Sequence, residues 1–539
     1  MSAVHQTEID GVTCFWVDSG RPTLSSKLVF RYGAGDEPVA ESGWQHLLEH
    51  LALHRFDGGR LQVNGSVDIL TTAFDAHGPA ELVTAHLTDL TRWLARPVTD
   101  DLAREVGVLR SEAEYRGGNP LTHALSWRYG AQGPGILGLP EPGLGRASAR
   151  ALRSRAARAF VTGNAVLILD GPPPANLRLG LREGSRVDVP TAVPCETQFP
   201  GAYVDAAGLT LTGVVERSSV LWATHELLRA ALNDDLRGEA GGAYAPWATY
   251  ERLDTTSALV AVGSDLASSL REQGAEIALA SIDRLRQQGP DPARLSDLLA
   301  RREQELLDPY AAAGHAALAA YRHLERLPPK TLAALRDEAH DITSDDVATA
   351  VEGWAQSLLI GVPGETTLTD DLVAGRVPLL AMPSTEPVAG HSFRHRNWPA
   401  IQVRLSLDLD GVERVQDGKA LRILWADLAG TLVYEDGVRH LFRPDGYGLT
   451  IDPHEWRGGG EILAEIDRRT PPSLQLPMGR DGGGSIEPMG GWTRWRNTLV
   501  NAIRATDPRA RATVLVAVGI AFVLYVVPHI PRFGTSFGN

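Results

Sequence analysis

Three side chains in residues 42–56, SGWQHLLEHLALHRF, have the types and spacing for metal chemistry: His46, Glu49 and His50. On a helix, positions i, i+3 and i+4 share one face, so two imidazoles and a carboxylate point into one small volume. Leu47, Leu48, Leu51 and Leu53 supply the apolar remainder. The pattern His-x-x-Glu-His offers two zinc ligands and, between them, a general base able to take a proton from water. Such a pattern arises by chance in roughly one chain of this length in thirty, so a third ligand is needed to give it meaning.

Residues 99–116, TDDLAREVGVLRSEAEYR, can supply one. Thr99 reads as an N-cap, acids follow in the first turn, and Leu102, Val106 and Leu109 form an apolar stripe. Glu105 and Glu112 stand seven apart, two turns along one face. Packing this helix against the first would bring a carboxylate to the two histidines. His54, one further turn along the first helix, is expected to be a partly buried surface residue outside the site.

The elements that must position these groups are short. Residues 11–33 read as two strands about a Gly-Arg-Pro turn, and 33–38, GAGDEP, as the loop delivering the chain to the metal helix. Residues 61–77 are strand-like, with Asn64-Gly65 as a turn signal, and 86–94 have a helical pattern.

This order of strand, GAGDEP-like loop, HLLEH helix, Gly-rich strand and acidic helix ending VLRSE resembles the insulinase/pitrilysin family of zinc metallopeptidases, inverzincins that include the mitochondrial processing peptidases. The resemblance implies one Zn²⁺ per chain held by His46, His50 and Glu112, with Glu49 as the catalytic base and Glu105 as a supporting residue. The gap from His50 to Glu112 is 62 positions, shorter than the family's usual spacing, which points to trimmed surface segments. The family's substrate-facing strand has an Asn-Ala pair followed by Thr, and the residues matched to it here are Asp68, Ile69 and Thr71. In the second domain the family carries an Arg and a Tyr seven apart, which match Arg237 and Tyr244 in LNDDLRGEAGGAY. A guanidinium and a phenol are suitable donors to a developing oxyanion.

An internal repeat supports a duplicated architecture. Asp101-Leu102-Ala103-Arg104 and Asp291-Pro292-Ala293-Arg294 each open a helix, 190 positions apart, and Gly171 and Gly361 repeat the same offset at the ends of two strands. The second copy lacks His-x-x-Glu-His and has Arg302 where the first has Glu112, so it is not expected to hold zinc.

The remaining length, 539 residues in all, exceeds one core. The expected fold class is α+β. Two duplicated sheet-plus-helices domains (1–190, with the zinc site, and 195–375, without it) precede a small β-rich module at 390–470. A linker and basic juxtamembrane segment (471–511) and a transmembrane tail (512–530) follow. The module's LFRPDGYGLTI stretch resembles bacterial pleckstrin-homology-like domains. Residues 512–527, ATVLVAVGIAFVLYVV, carry no charge and would span about 24 Å as a helix. Arg494, Arg496, Arg504, Arg509 and Arg511 lie before this run and only Arg532 after it, which predicts a single-pass tail anchor with the catalytic part cytoplasmic.

A net charge of −14 disfavours a nucleic-acid partner, which needs a basic footprint. Cys14 and Cys195 alone cannot form a disulfide framework, so a reducing compartment is the simpler expectation. The start, MSAVHQTEIDGV, has neither the basic nor the apolar stretch of a signal peptide. Family members act as a clamshell of four such domains. Two domains in one chain therefore imply a homodimer, or a heterodimer with a related subunit, acting on peptide substrates. The competing expectation is a catalytically silent relative serving as a membrane-bound scaffold subunit.

Overall fold

A run of five apolar residues, Ala165–Leu169, is buried along its whole length and forms an inner strand of the first sheet. The computed structural model describes residues 4–479 apart from 55–58, 116–118, 197, 206–207, 272, 309–311, 364–383, 389 and 417. The first sheet comprises β1 (His5–Ile9), β2 (Val12–Trp16), β3 (Leu24–Phe30), β4 (Gln62–Val67), β5 (Thr72–Gly78) and β6 (Ala165–Leu169), in the order β1-β2-β6-β3-β5-β4. Only β2 and β6 run parallel; the other pairs are antiparallel. With β4 and β1 at its edges, the strands between them pack on both faces, which is why β6 shows no polar alternation.

One face is covered by α1 (Trp44–Leu53), α2 (Ala80–Ala95), α3 (Leu102–Tyr115) and α5 (Ala149–Ala159), the chain passing through α4 (Pro120–Tyr129) between the last two. Leu47, Leu48 and Leu51 of α1 meet Leu87 and Leu90 of α2, Leu109 of α3 and Leu152 of α5 above Leu28, Phe74 and Leu167 of the sheet. The rings of Phe30, Phe74 and Phe160 pack edge to face at its centre. Ser148 caps α5 through Ala151 N–H. The cap of α3 falls on Asp101, whose carbonyl accepts the first helical bond from Glu105 N–H, and not on Thr99.

The second sheet repeats this plan with β7 (Gly201–Asp205), β8 (Leu209–Glu216), β9 (Trp247–Arg252), β10 (Ser257–Ser264) and β11 (Leu359–Pro363), ordered β7-β11-β8-β10-β9. Position for position this matches β2-β6-β3-β5-β4, including one parallel pair, β7 with β11. Its helices are α6 (Leu221–Leu232), α7 (Gly274–Gln288), α8 (Pro292–Leu307), α9 (Ala312–Leu324), α10 (Leu332–His340) and α11 (Ser344–Gln356), the last closed by a Thr343–Asp346 capping box. Arg302 on α8 pairs with Glu305 and lies over Trp222.

The two halves exchange one helix each. α9 lays Ala312, Ala316 and Ala320 on Phe15, Val29 and Ile168 at the back of the first sheet. Alanine at every fourth position makes that helix face flat enough for close approach. Reciprocally, Leu125 and Tyr129 of α4 pack on Leu259 and Ala261 of β10, and Ala124 and Trp127 pack on Tyr203 and Leu359.

The β-rich module contains β12 (His391–Arg394), β13 (Val403–Leu407), β14 (Gly411–Gln416) and β15 (Lys419–Leu424) in one antiparallel sheet. A second sheet holds β16 (Gly430–Val433), β17 (Arg439–Phe442), β18 (Gly448–Ile451) and β19 (Gln475–Pro477) in the order β18-β17-β16-β19. The helix α12 (Gly459–Arg469) buries Ile462 and Ile466 among Phe393, Leu405, Leu441 and Ile451. Because β19 pairs parallel with β16, the module runs to Pro477; the stretch after 470 that reads as linker begins as part of its sheet.

Among the described residues no helix is long and apolar enough to cross a membrane. The 512–530 segment, like the basic stretch before it, lies outside the described residues.

Candidate metal centre

The start of α1 is fixed by a buried carboxylate. Glu37, from the GAGDEP loop, accepts hydrogen bonds from the N–H groups of Gly43 and Gln45, each at 2.8 Å. A carboxylate there satisfies two helix donors and complements the positive end of the helix dipole. Arg155 of α5 donates to Glu37 at 2.8 Å and also pairs with Glu41. Burial nonetheless pushes the Glu37 carboxyl up to about 7. Gly43 has φ +89°, a conformation that favours glycine. Gln45 donates to Thr72 Oγ1 at 2.9 Å, and Thr72 donates to Tyr32 O at 2.7 Å, tying α1 to β5.

From this helix, His46, Glu49 and His50 project together: one ligand atom from each lies within 4.8 Å of the others. The imidazole rings meet edge to face with centroids 4.7 Å apart. His50 Nε2 stands 3.8 Å from Glu49 Oε2 and 3.5 Å from Glu112 Oε1, while its Nδ1 faces Glu105 Oε2 at 3.4 Å. Glu105 is buried and takes a hydrogen bond from Arg104 at 2.6 Å; Glu112 is half-exposed, open towards the site. α3 therefore brings both acids to α1, with Glu112 and Glu105 on opposite ring nitrogens of the same histidine. His54 lies outside the group, 3.9 Å from Glu105 Oε1.

Electrostatically the site is a pocket of mutually raised and lowered affinities for protons. Burial, reinforced by Glu112 and Glu105, pushes Glu49 up to about 7 against the opposing pull of His46. Burial and the neighbouring His46 lower the pKa of His50. A neutral imidazole is the form that binds metal. Two imidazoles and a carboxylate are donors that suit Zn²⁺, and Gly65 of β4 leaves the space in which Glu49 sits. The residues present fit such an ion.

The structure does not bring every predicted site residue to this place. Asp68, Ile69 and Thr71 form the turn between β4 and β5, not an open strand. Asp68 O and Ile69 O accept from Ala34 and Gly35 N–H, both at 2.9 Å, and Asp68 N–H donates to Thr71 O. Those backbone groups are already engaged, and Ile69 and Thr71 are buried. Asn64 and Gly65, which read as a turn in the sequence, instead lie inside β4, the edge strand that faces Glu49. Arg237 sits exposed on a π-helical turn, Asn233–Glu239, that extends α6, and Tyr244 lies in the following loop, 81% exposed. Among the described residues neither is hydrogen-bonded to His46, Glu49, His50 or Glu112. A group missed from sequence is Glu141, whose Oε1 lies 2.7 Å from His46 Nδ1; a single Glu in a Gly/Pro-rich loop 95 positions away carries no local signal.

No family model and no curated protein matches the sequence. Solved structures match the fold. A chain of complex III2 from Candida albicans superposes with a TM-score of 0.55 at 14% identity, over 68% of this chain and 98% of that one. A peptidase M16 inactive domain from Pseudomonas fluorescens gives 0.53 at 14% identity, over 66% and 97%. The first half of the periplasmic protease PqqL from Escherichia coli gives 0.51 at 13% identity, over 70% and 94%. The fold is the M16, insulinase-like one. These M16-like neighbours include a protease, an inactive domain and a chain of a larger complex, so the fold is compatible with both peptidase and scaffold readings.

Proposed function

We propose that this chain is a zinc-dependent endopeptidase that cleaves peptides or unstructured segments. The observation that carries the reading is the convergence of His46, Glu49 and His50 within 4.8 Å, with Glu112 Oε1 3.5 Å from His50 Nε2. His46, His50 and Glu112 would hold the ion, which when bound supplies a Lewis acid towards a peptide carbonyl and acidifies water. Glu49 takes the proton from the attacking water and returns it to the leaving amine, its buried carboxylate lying between His46 and His50 where both transfers occur. An extended peptide adds to the free edge of β4, where main-chain hydrogen bonds align it past Glu49. The working unit in this reading is a homodimer or a heterodimer with a related subunit, in which the exposed Arg237 and Tyr244 would serve an oxyanion at the partner's centre. The uncharged run at 512–527 and the arginines before it support a single-pass tail anchor that keeps this site at the cytoplasmic face of a membrane.

The test is cleavage of an unstructured reporter peptide by the full chain loaded with Zn²⁺. Wild type should cut it, and both chelation and Glu49→Gln should abolish cutting. Cleavage that survives either treatment would overturn the proposal. A second reading, a silent scaffold subunit, is favoured by the inactive M16 domain and the complex III2 chain among the structural neighbours. Zinc bound by wild type without any cleavage would support it.

A further inference from the structure

We infer that Glu141 is a positioning residue of the metal centre, and that the β-rich module holds it in place. The inference rests on the zinc site proposed above.

Glu141 Oε1 lies 2.7 Å from His46 Nδ1, with both side chains largely buried. A carboxylate accepting at that distance takes a hydrogen from His46 Nδ1, the tautomer that leaves Nε2 to bind a metal. A carboxylate on the far nitrogen of a metal-binding histidine fixes the tautomer, restrains the ring and raises its basicity. The backbone at Glu141 is left-handed, φ +52° and ψ +55°, an uncommon conformation for a residue with a Cβ. α1 makes room for it: a Cβ at Gly43 would stand 2.7 Å from Glu141 Cβ. The same helix grips the loop beyond it, Trp44 Nε1 donating to Gly143 O at 2.8 Å.

The segment carrying Glu141 is clasped at both ends by the module. At its start, Ala131 N–H donates to Pro444 O at 2.9 Å, and a Cβ at Gly130 would stand 2.1 Å from that same oxygen. At its end, Arg146 donates to Pro472 O at 2.7 Å and Gln475 O at 3.2 Å, and a Cβ at Gly145 would stand 2.1 Å from Pro477 O. Between these contacts Leu139 packs on Ala131, Leu432, Phe442 and Leu476. Pro477 O also accepts from Arg110 of α3, two residues from Glu112. The module thus touches both the loop behind His46 and the helix that brings Glu112.

Zn²⁺ affinity of the full chain, measured by competition with a chromogenic chelator, and the visible spectrum of the Co²⁺-loaded chain test this. Glu141→Ala should weaken Zn²⁺ binding by about 10- to 100-fold and shift the Co²⁺ bands. Glu141→Gln keeps an acceptor without the charge and should recover part of the affinity. Gly145→Val, which drives the loop from Pro477 without touching a ligand, should weaken binding in the same direction. Affinity and spectrum unchanged from wild type in both Glu141 variants would overturn the inference while leaving the zinc site standing. Absence of Zn²⁺ binding by wild type would overturn both. If Glu141→Ala does not fold, the Co²⁺ spectrum of Glu141→Gln decides alone: an unshifted spectrum overturns the inference.

Discussion

Gly65 lies directly beneath the Glu49 carboxylate: a Cβ on Gly65 would stand 2.0 Å from Glu49 Oε1 and 2.7 Å from its Cδ and Cγ. Three atoms of the glutamate would be struck at once, so the side chain must swing away as a whole. Gly65→Ala should therefore leave the fold and Zn²⁺ binding in place while lowering kcat by about 100-fold or more, the scale of a mispositioned general base. Reporter-peptide kinetics beside a chelator titration check it; a Gly65→Ala chain as active as wild type would show that Glu49 works from another position.

Burial raises Glu49 from an ordinary 4.5 to about 7. Between those values the folded, metal-free chain keeps a proton that the unfolded chain has released. Stability then falls as pH rises through that window, by up to about 1.4 kcal/mol per pH unit. Glu49→Gln removes this contribution and leaves that of Glu37 unchanged. Melting temperatures of metal-free wild type and Glu49→Gln should accordingly diverge in favour of the variant from about pH 4.5 to about pH 7 and run parallel above it. A constant difference across that range would contradict it.

How much of the fold and site is legible in the sequence depends on how local each signal is. His46, Glu49 and His50 sit on one helix face, which helical periodicity exposes; Glu105 and Glu112 share a face of another helix, where it takes the family resemblance to tell them from ordinary surface acids. Asn64-Gly65 misleads because its dipeptide preference for turns is real; the glycine is there for the space Glu49 needs, a tertiary demand that no local pattern carries. Asp68, Ile69 and Thr71 mislead in turn, because the strand facing Glu49 ends before them and they close the turn to β5. Glu37 and Glu141 both come from loops, and their partners lie 118 and 95 positions away. The exchange of α4 and α9 between the halves is equally silent, since an apolar helix face does not say which sheet it covers.

Arg155 anchors the start of α1 through Glu37. In Arg155→Ala, Glu37 would be left buried without its cation, a change that costs about 3–5 kcal/mol where the remaining group stays charged. Glu37 already titrates at about 7 and would rise further without the arginine. The folded variant holds that proton and the unfolded chain loses it above its ordinary 4.5, so the penalty grows with pH. Urea denaturation should show a larger deficit for Arg155→Ala at about pH 8 than at about pH 5.5. An equal deficit at both would mean that packing of Arg155 on Tyr32 and Trp44, not its charge, carries the effect.

Arg237 and Tyr244 are exposed on the second half of the chain, and neither is bonded to the zinc-site residues of its own copy among the described residues. If two copies complete each other's sites, a chain lacking the base and a chain lacking the guanidinium can still form one whole site between them. Glu49→Gln and Arg237→Ala chains should each be inactive as pure samples. Mixed in equal amounts and allowed to exchange, they should recover about a quarter of wild-type activity, since half of the dimers are mixed and each carries one intact site of two. Activity of the mixture equal to the average of its parts would rule out shared sites. Recovery would instead place the oxyanion donors and the base on different subunits, and make activity depend on dimer formation.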